Sequence, residues 1–351
     1  MESFKITLPN GAAVSGLHHF PSVDSLSLPI RPLVVCIPGG SYGAEYFDVS
    51  GAQSVLNLSK SLKIPVIAID RPGYGSSTLA PNDETAPTYA QAQGRFLNST
   101  VFPALWQEFG HVAKTSAVVL LSHSIGAMMA TIAAGSYTGR EGYPLAGLIT
   151  SGIGSELVEG PRQGMLHLLS EPAELMHFEA TPKDAIMLQL PHMNLAPLEM
   201  CDYTERLNRP VPRAELQDIN TTWLDYWKKY STSVTVPVFH GLGEFDGLWT
   251  CSPATLDAYN AAFTQSPKVT SEMIPMAPHC MEMSFQSHAW YMKCFAFAAE
   301  CTVSRKLAAS NQVSKDNGSE DELPEESASS PRGITTIVYS TTSYGEEKPE
   351  A

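Results

Sequence analysis

Residues 122–126, Ser122-His123-Ser124-Ile125-Gly126, follow the apolar run Ala117–Leu121 and open a stretch of small residues that includes Ala127, Ala130, Ala133 and Ala134. A sharp strand-to-helix turn strains its central residue, and the residues two before and two after it must be small. Ser122 and Gly126 meet that demand. Such a turn lifts the Ser124 hydroxyl clear of a sheet and places the first N–H groups of a helix where negative charge develops. This is the chemistry of a nucleophile, with the Ile125 N–H as one oxyanion donor. S-x-S-x-G alone is weak, since hydroxyl and glycine turns are common; the strand before it and the helix after it decide for function. Ser122 is the rival nucleophile, expected instead at the strand end as an inward-facing structural hydroxyl.

A serine hydroxyl needs a base to take its proton. Of ten histidines, His279 is the candidate. It follows the strand end and turn Met273–Pro278 and precedes a final amphipathic helix from Met281 that carries Phe285, Trp290, Phe295 and Phe297. A histidine after the last strand can reach back over the top of a sheet. His240 ranks lower because its own strand supplies the acid, and His123 because neighbouring side chains in a sharp turn point apart. The base needs a carboxylate to fix its tautomer and stabilise the imidazolium. Asp246, presented by a glycine loop expected after a strand ending at His240, is that residue, with Glu244 as runner-up. The chain order is Ser124, Asp246, His279. A second oxyanion donor is expected from Pro38-Gly39-Gly40-Ser41-Tyr42-Gly43, with Gly40 the candidate and Ser41 the alternative. Glycine lets the backbone approach a substrate closely. An ordinary tight turn is the competing reading, and a phosphate loop is excluded by the missing lysine.

These residues need a scaffold that puts strand ends side by side. Leu33–Ile37, Val66–Ile69, Ala117–Leu121, Ala146–Thr150, Val236–His240 and Val269–Ile274 are continuous apolar runs separated by helical patterns. Strands buried on both faces read that way, so the expected fold is α/β, a parallel sheet with helices on both faces. The rhythm breaks between Gly154 and Ser233. The expected organisation is a core over 1–153 and 234–301, a cap insertion over 154–233 and an acidic disordered tail over 302–351. Residues 316–351 hold nine acidic and two basic side chains, and Ile334–Tyr339 could form a strand against a partner.

The chain has 351 residues, 43% of them hydrophobic, and a net charge of −14. That acidity argues against nucleic acid and anionic membranes as partners. No apolar stretch is long enough to span a bilayer, and the N-terminus lacks a signal-peptide pattern. The six scattered cysteines suit reduced thiols, and the cytoplasm is the expected location.

Pro38-Gly39-Gly40, Asp70-Arg71-Pro72-Gly73-Tyr74-Gly75-Ser76, the 122–126 turn, Gly243-Glu244-Phe245-Asp246 and Ala277-Pro278-His279 together resemble the α/β-hydrolase superfamily, in its esterase, lipase and C–C hydrolase branch, over about residues 30–300. Members commonly carry His-Gly in the first loop; Pro38 stands here in place of that histidine, which leaves the backbone role. The resemblance implies an eight-stranded, mostly parallel sheet, a helical cap after the sixth strand and no cofactor. The expected function is a serine hydrolase cleaving an ester or thioester of a small apolar substrate through an acyl-enzyme. The alternatives are a C–C hydrolase, acyltransferase or lyase on the same triad, or a non-catalytic binding protein. Ser41, Tyr42, Trp223 and Trp227 are the expected substrate contacts. Met165, Met176, Met187, Met193 and Tyr226 are further cap candidates. His167, His177 and His192 do not have metal-site spacing and are read as surface or core residues.

Overall fold

Among the described residues, ten strands follow one another in a computed structural model: β1 (Glu2–Thr7), β2 (Ala13–His19), β3 (Pro32–Ile37), β4 (Val66–Ile69), β5 (Ala117–His123), β6 (Leu145–Ser151), β7 (Leu175–Met176), β8 (Val211–Pro212), β9 (Val238–Phe245) and β10 (Val269–Pro278). The structure describes residues 1–25, 27–81 and 83–317, with side chains to 311. The chain divides into a unit of Met1–Ala309, which holds the sheet and the candidate site, and a segment from Ser310 onward.

Eight strands form one sheet in the order β1-β2-β4-β3-β5-β6-β9-β10. β4, β3, β5, β6, β9 and β10 pair in parallel, while β2 is antiparallel to both β1 and β4. The β1–β2 hairpin was not legible as strands. The residues of β1 are exposed or half-buried throughout, so no apolar run marks it. The central strands β3, β4, β5 and β6 are buried along their whole length. Their alternate residues feed two apolar cores, one on each face: Val35 and Leu120 belong to one, Val34 and Val119 to the other.

β9 and β10 run furthest beyond the expected ranges. β9 continues through Gly241, Leu242 and Gly243 to Phe245, so the glycines lie within the strand rather than in a loop after it. Neighbours explain both glycines: a Cβ on Gly241 would sit 2.4 Å from the Trp290 ring, and one on Gly243 would sit 2.5 Å from the Pro278 carbonyl oxygen. Asp246 and His279 therefore directly follow the ends of adjacent parallel strands. The insert between β6 and β9 is built from short helices, among them Glu159–Leu168, Ala180–Met187, Arg213–Thr221 and Trp223–Thr232, and from the β7–β8 pair, which the sequence did not announce.

The expected tail boundary at 302 is corrected. The final helix runs Ser287–Asn317, and Thr302 is fully buried with its hydroxyl donating to the Ala298 carbonyl. Good helix formers at Arg305, Lys306, Leu307, Ala308 and Ala309 carry the helix past the last apolar turn. The remainder of that predicted tail, with Ile334–Tyr339, lies outside the described residues. Among the described residues no helix is long and apolar enough to cross a membrane. All six cysteines are free, and Cys36, Cys280, Cys294 and Cys301 are buried.

Candidate active site

Ser124 sits between β5 and the helix Ile125–Gly135 with φ 53° and ψ −125°, a backbone region that L-residues enter only under constraint. The constraint is local. The Ser124 N–H donates to the Ser151 carbonyl at 2.7 Å, and the Ser124 carbonyl accepts from the N–H groups of Ala127 and Met128. The N–H groups of Ile125 and Gly126, in the first turn of the helix, are left without intrahelical acceptors. Gly126 is required by packing, because a Cβ there would lie 2.3 Å from the Pro38 carbonyl oxygen and 2.4 Å from that of Ile37. Gly126→Ala should therefore cost about 1–3 kcal/mol of stability, read as a lower midpoint in urea unfolding. An unchanged midpoint would contradict the packing described.

The three separated side chains meet. His279 Nε2 lies 3.1 Å from Ser124 Oγ, and His279 Nδ1 lies 2.8 Å from Asp246 Oδ2. Asp246 Oδ1 accepts the N–H groups of Leu248 at 2.8 Å and Trp249 at 3.1 Å, which fixes the carboxylate. With Asp246 accepting from Nδ1–H, the Nε2 lone pair faces the Ser124 hydroxyl. His279 is 1% exposed and Asp246 7%, so the hydrogen bond between these two is shielded from competing water.

The rival residues fall elsewhere. Ser122 is fully buried and donates to the Ile149 carbonyl at 2.7 Å. Glu244 is exposed and accepts from the Met276 N–H. His240 is buried, within 3.0 Å of Thr150 Oγ1 and stacked on Tyr259. Burial pushes its pKa down to about 3, against a weaker opposing hydrogen bond from Thr150. Burial, helped by the nearby His279, also holds His123 well below its usual 6.5. Both histidines are thus neutral in the folded state. Below about pH 6.5 the unfolded chain binds protons that these two refuse, so stability falls as pH drops from about 6.5 toward 3. The expected result is a falling Tm over that range, with a shallower slope for His240→Asn even though that variant is less stable at neutral pH. Parallel slopes would contradict it.

A cavity of about 50 Å³ opens over Ser124 and His279. Met165, Phe178, Met187, Leu216 and Ile219 of the insert, with Leu248 and Trp249 after β9, give it apolar walls; Gly40, Tyr42 and Ile125 line the core side. The expected contacts at Tyr42, Met165 and Met187 are thus at the cavity. Those at Trp223 and Trp227 are corrected. Both are buried, at 0% and 2% exposure, but pack into the core, where Trp227 stacks on Tyr259, and neither lines the cavity. Met176, Met193 and Tyr226 do not line it either. Ser41 is buried beside it with φ 62° and an unpartnered Oγ, without reaching the lining. His167, His177 and His192 are exposed. No group of three or more metal-ligating side chains is placed to hold an ion among the described residues.

Two buried networks flank the site that sequence reasoning missed. His123, expected to point away, lines the cavity, with its ring 4.9 Å from that of His279 and its Nδ1 3.0 Å from Ser151 Oγ. Behind it Glu282 is fully buried and accepts from Tyr46, Ser151 and Trp290. Burial raises the Glu282 pKa against those hydrogen bonds. On the other side Arg71 makes a bidentate pair with Glu215 at 2.7 and 2.8 Å. Burial opposes the Arg71 charge, but Glu215 beside it more than offsets this and lifts the guanidinium pKa. The motif Asp70–Ser76 was a signal for Arg71; nothing in the sequence pointed to Glu215.

Residues 34–289 match the family model described as the alpha/beta hydrolase family. The chain belongs to that family. Comparison with curated protein sequences gives no match. Among solved structures, a thermophilic esterase from Thermogutta terrifontis aligns with TM-score 0.56 and 17% identity, over 86% of this chain and 100% of that one. An esterase from Exiguobacterium antarcticum aligns with TM-score 0.57 and 13% identity, over 85% and 99%. An N-acyl homoserine lactonase aligns with TM-score 0.56 and 15% identity, over 86% and 97%. At these identities the likeness is one of fold. The eight-stranded, mostly parallel sheet and the helical insert after β6 agree with what the family resemblance implied.

Proposed function

We propose that this α/β-hydrolase is a serine hydrolase that cleaves an ester or thioester of a small apolar substrate through an acyl-enzyme. The observation that carries the reading is the linear relay Ser124 Oγ–His279–Asp246, with its 3.1 and 2.8 Å contacts at the floor of an apolar cavity. His279 Nε2 takes the Ser124 proton as Oγ attacks the substrate carbonyl. The oxyanion is met by the N–H groups of Ile125 and Gly40. The imidazolium, stabilised by Asp246, gives its proton to the departing alcohol or thiol. Water then attacks the acyl-enzyme with His279 again as base, releasing the acid and restoring Ser124. The insert 154–233 acts as the cap that supplies the apolar wall, and the cavity's small volume favours short acyl groups.

A panel of p-nitrophenyl esters and acyl thioesters, from acetyl to decanoyl, tests this. The expected result is measurable turnover with kcat/KM highest among the short acyl groups. Absence of turnover across the panel would remove the reading, and a steady rise toward decanoyl would remove the small-substrate part of it.

A further inference from the structure

Arg71 and Glu215 stand 144 residues apart in sequence, at 0% exposure each, one after β4 in the core and the other in the insert helix Arg213–Thr221. Burying such a pair is no gain in stability over a well-packed apolar pair, because both ions must be stripped of water. Its hydrogen bonds indicate another use. Arg71 Nη2 bridges Glu215 Oε1 at 2.8 Å and the Gly39 carbonyl at 3.0 Å. Tyr74, whose ring lies 4.4 Å from the guanidinium carbon, donates its hydroxyl to the same Oε1 at 2.8 Å and accepts the Ser41 N–H at 3.5 Å. Glu215 thus joins two pins, one on each side of Gly40.

The peptide unit explains what the pins do. No peptide bond in the described chain is cis, so the Gly39 carbonyl and the Gly40 N–H point in opposite directions from one plane. Anchoring the carbonyl on Arg71 turns the Gly40 N–H away from Arg71. Gly40 lines the cavity, and a Cβ on Gly39 would touch Ser124 Cβ at 2.9 Å, so this loop lies directly against the nucleophile turn. The helix that carries Glu215 also carries Leu216, Ile219 and Asn220, which line the same cavity.

We propose that Arg71, Glu215 and Tyr74 are positioning residues that tie the seat of the insert to the aim of the Gly40 N–H, so that the oxyanion donor is set only when the insert helix is docked. The proposal rests on the serine-hydrolase reading. Its effect belongs to the transition state, where charge develops on the carbonyl oxygen, and not to binding of the neutral ester.

The test uses the full chain and three variants, Glu215→Gln, Arg71→Lys and Tyr74→Phe, assayed with p-nitrophenyl acetate and with a trifluoromethyl ketone that forms a tetrahedral adduct. Melting curves establish the folded fraction. Loss of one oxyanion donor lowers kcat by roughly 10²–10³-fold, and mispositioning one should cost ~10–100-fold. Glu215→Gln and Arg71→Lys should lose about that much in both kcat and ketone affinity, with KM within a factor of about three. Tyr74→Phe removes one hydroxyl and keeps the ring beneath Arg71; it should show the same pattern, smaller. Folded variants with unchanged kcat and ketone affinity, or with losses confined to KM, would overturn the proposal. If the two charge variants do not fold, Tyr74→Phe decides by the same criteria. A wild-type protein that neither turns over the ester nor binds the ketone would overturn the hydrolase reading as well, which distinguishes the two failures.

Discussion

Ser124→Ala should lower kcat/KM for a short aryl ester by roughly 10⁴–10⁶-fold while leaving the fold in place. Alanine keeps the Cβ, and the backbone at φ 53° is held by bonds that the side chain does not make: Ser124 N–H to Ser151, and the Ser124 carbonyl to Ala127 and Met128. Only Oγ is lost, and with it the atom 3.1 Å from His279 Nε2. The neighbouring hydroxyl provides the control. Ser122 donates to the Ile149 carbonyl between β5 and β6, so Ser122→Ala removes a buried hydrogen bond worth about 1 kcal/mol and should leave kcat within a few-fold of wild type. Comparable losses in the two variants, measured by initial rates on protein of equal folded fraction, would contradict the assignment of the nucleophile.

Asp246→Asn should cost about 10⁴-fold in kcat, nearly as much as loss of the nucleophile, although Asp246 touches no substrate. The carboxylate accepts from His279 Nδ1 and, on its other oxygen, from the N–H groups of Leu248 and Trp249. An amide can keep only one oxygen. If that oxygen stays on the two backbone donors, the NH₂ faces Nδ1, which must then be the acceptor; the imidazole proton moves to Nε2 and blocks removal of the Ser124 proton. The double variant Ser124→Ala/Asp246→Asn should be no worse than Ser124→Ala alone, because the residues act as one unit. Glu244→Gln, at an exposed carboxylate bound to the Met276 N–H, should change kcat little. Additive losses in the double variant, or a larger loss at Glu244 than at Asp246, would show that the relay is wrongly drawn.

Much of this site can be read from the chain because it is carried by strand ends. A strand buried on both faces declares itself as an apolar run, and the residue that follows stands at the top of the sheet whatever else surrounds it. Ser124 was preferred to Ser122 on that ground, whereas Asp246 was expected in a loop after a strand ending at His240, and the structure instead extends that strand to Phe245. Within β9 the glycines misled, because they serve close approach to Trp290 and Pro278 rather than a turn. The insert was least legible. In the helix Trp223–Thr232 an aromatic face seeks the largest apolar surface available, and for Trp223 and Trp227 that surface is the core. The adjacent helix Arg213–Thr221 supplies the wall instead, through Leu216 and Ile219. Glu215 in that helix looked like any solvated acid. The arrival of Arg71 and the Tyr74 hydroxyl from a distant strand end makes its burial tolerable, and no local pattern encodes that meeting.

The most direct test of the central claim is chemical. Treating the wild-type chain with a fluorophosphonate at neutral pH, followed by intact-mass measurement and peptide mapping, should give a single covalent adduct on Ser124 that is absent in Ser124→Ala. An unmodified protein, or an adduct carried by Ser122 or any other residue, would contradict the account.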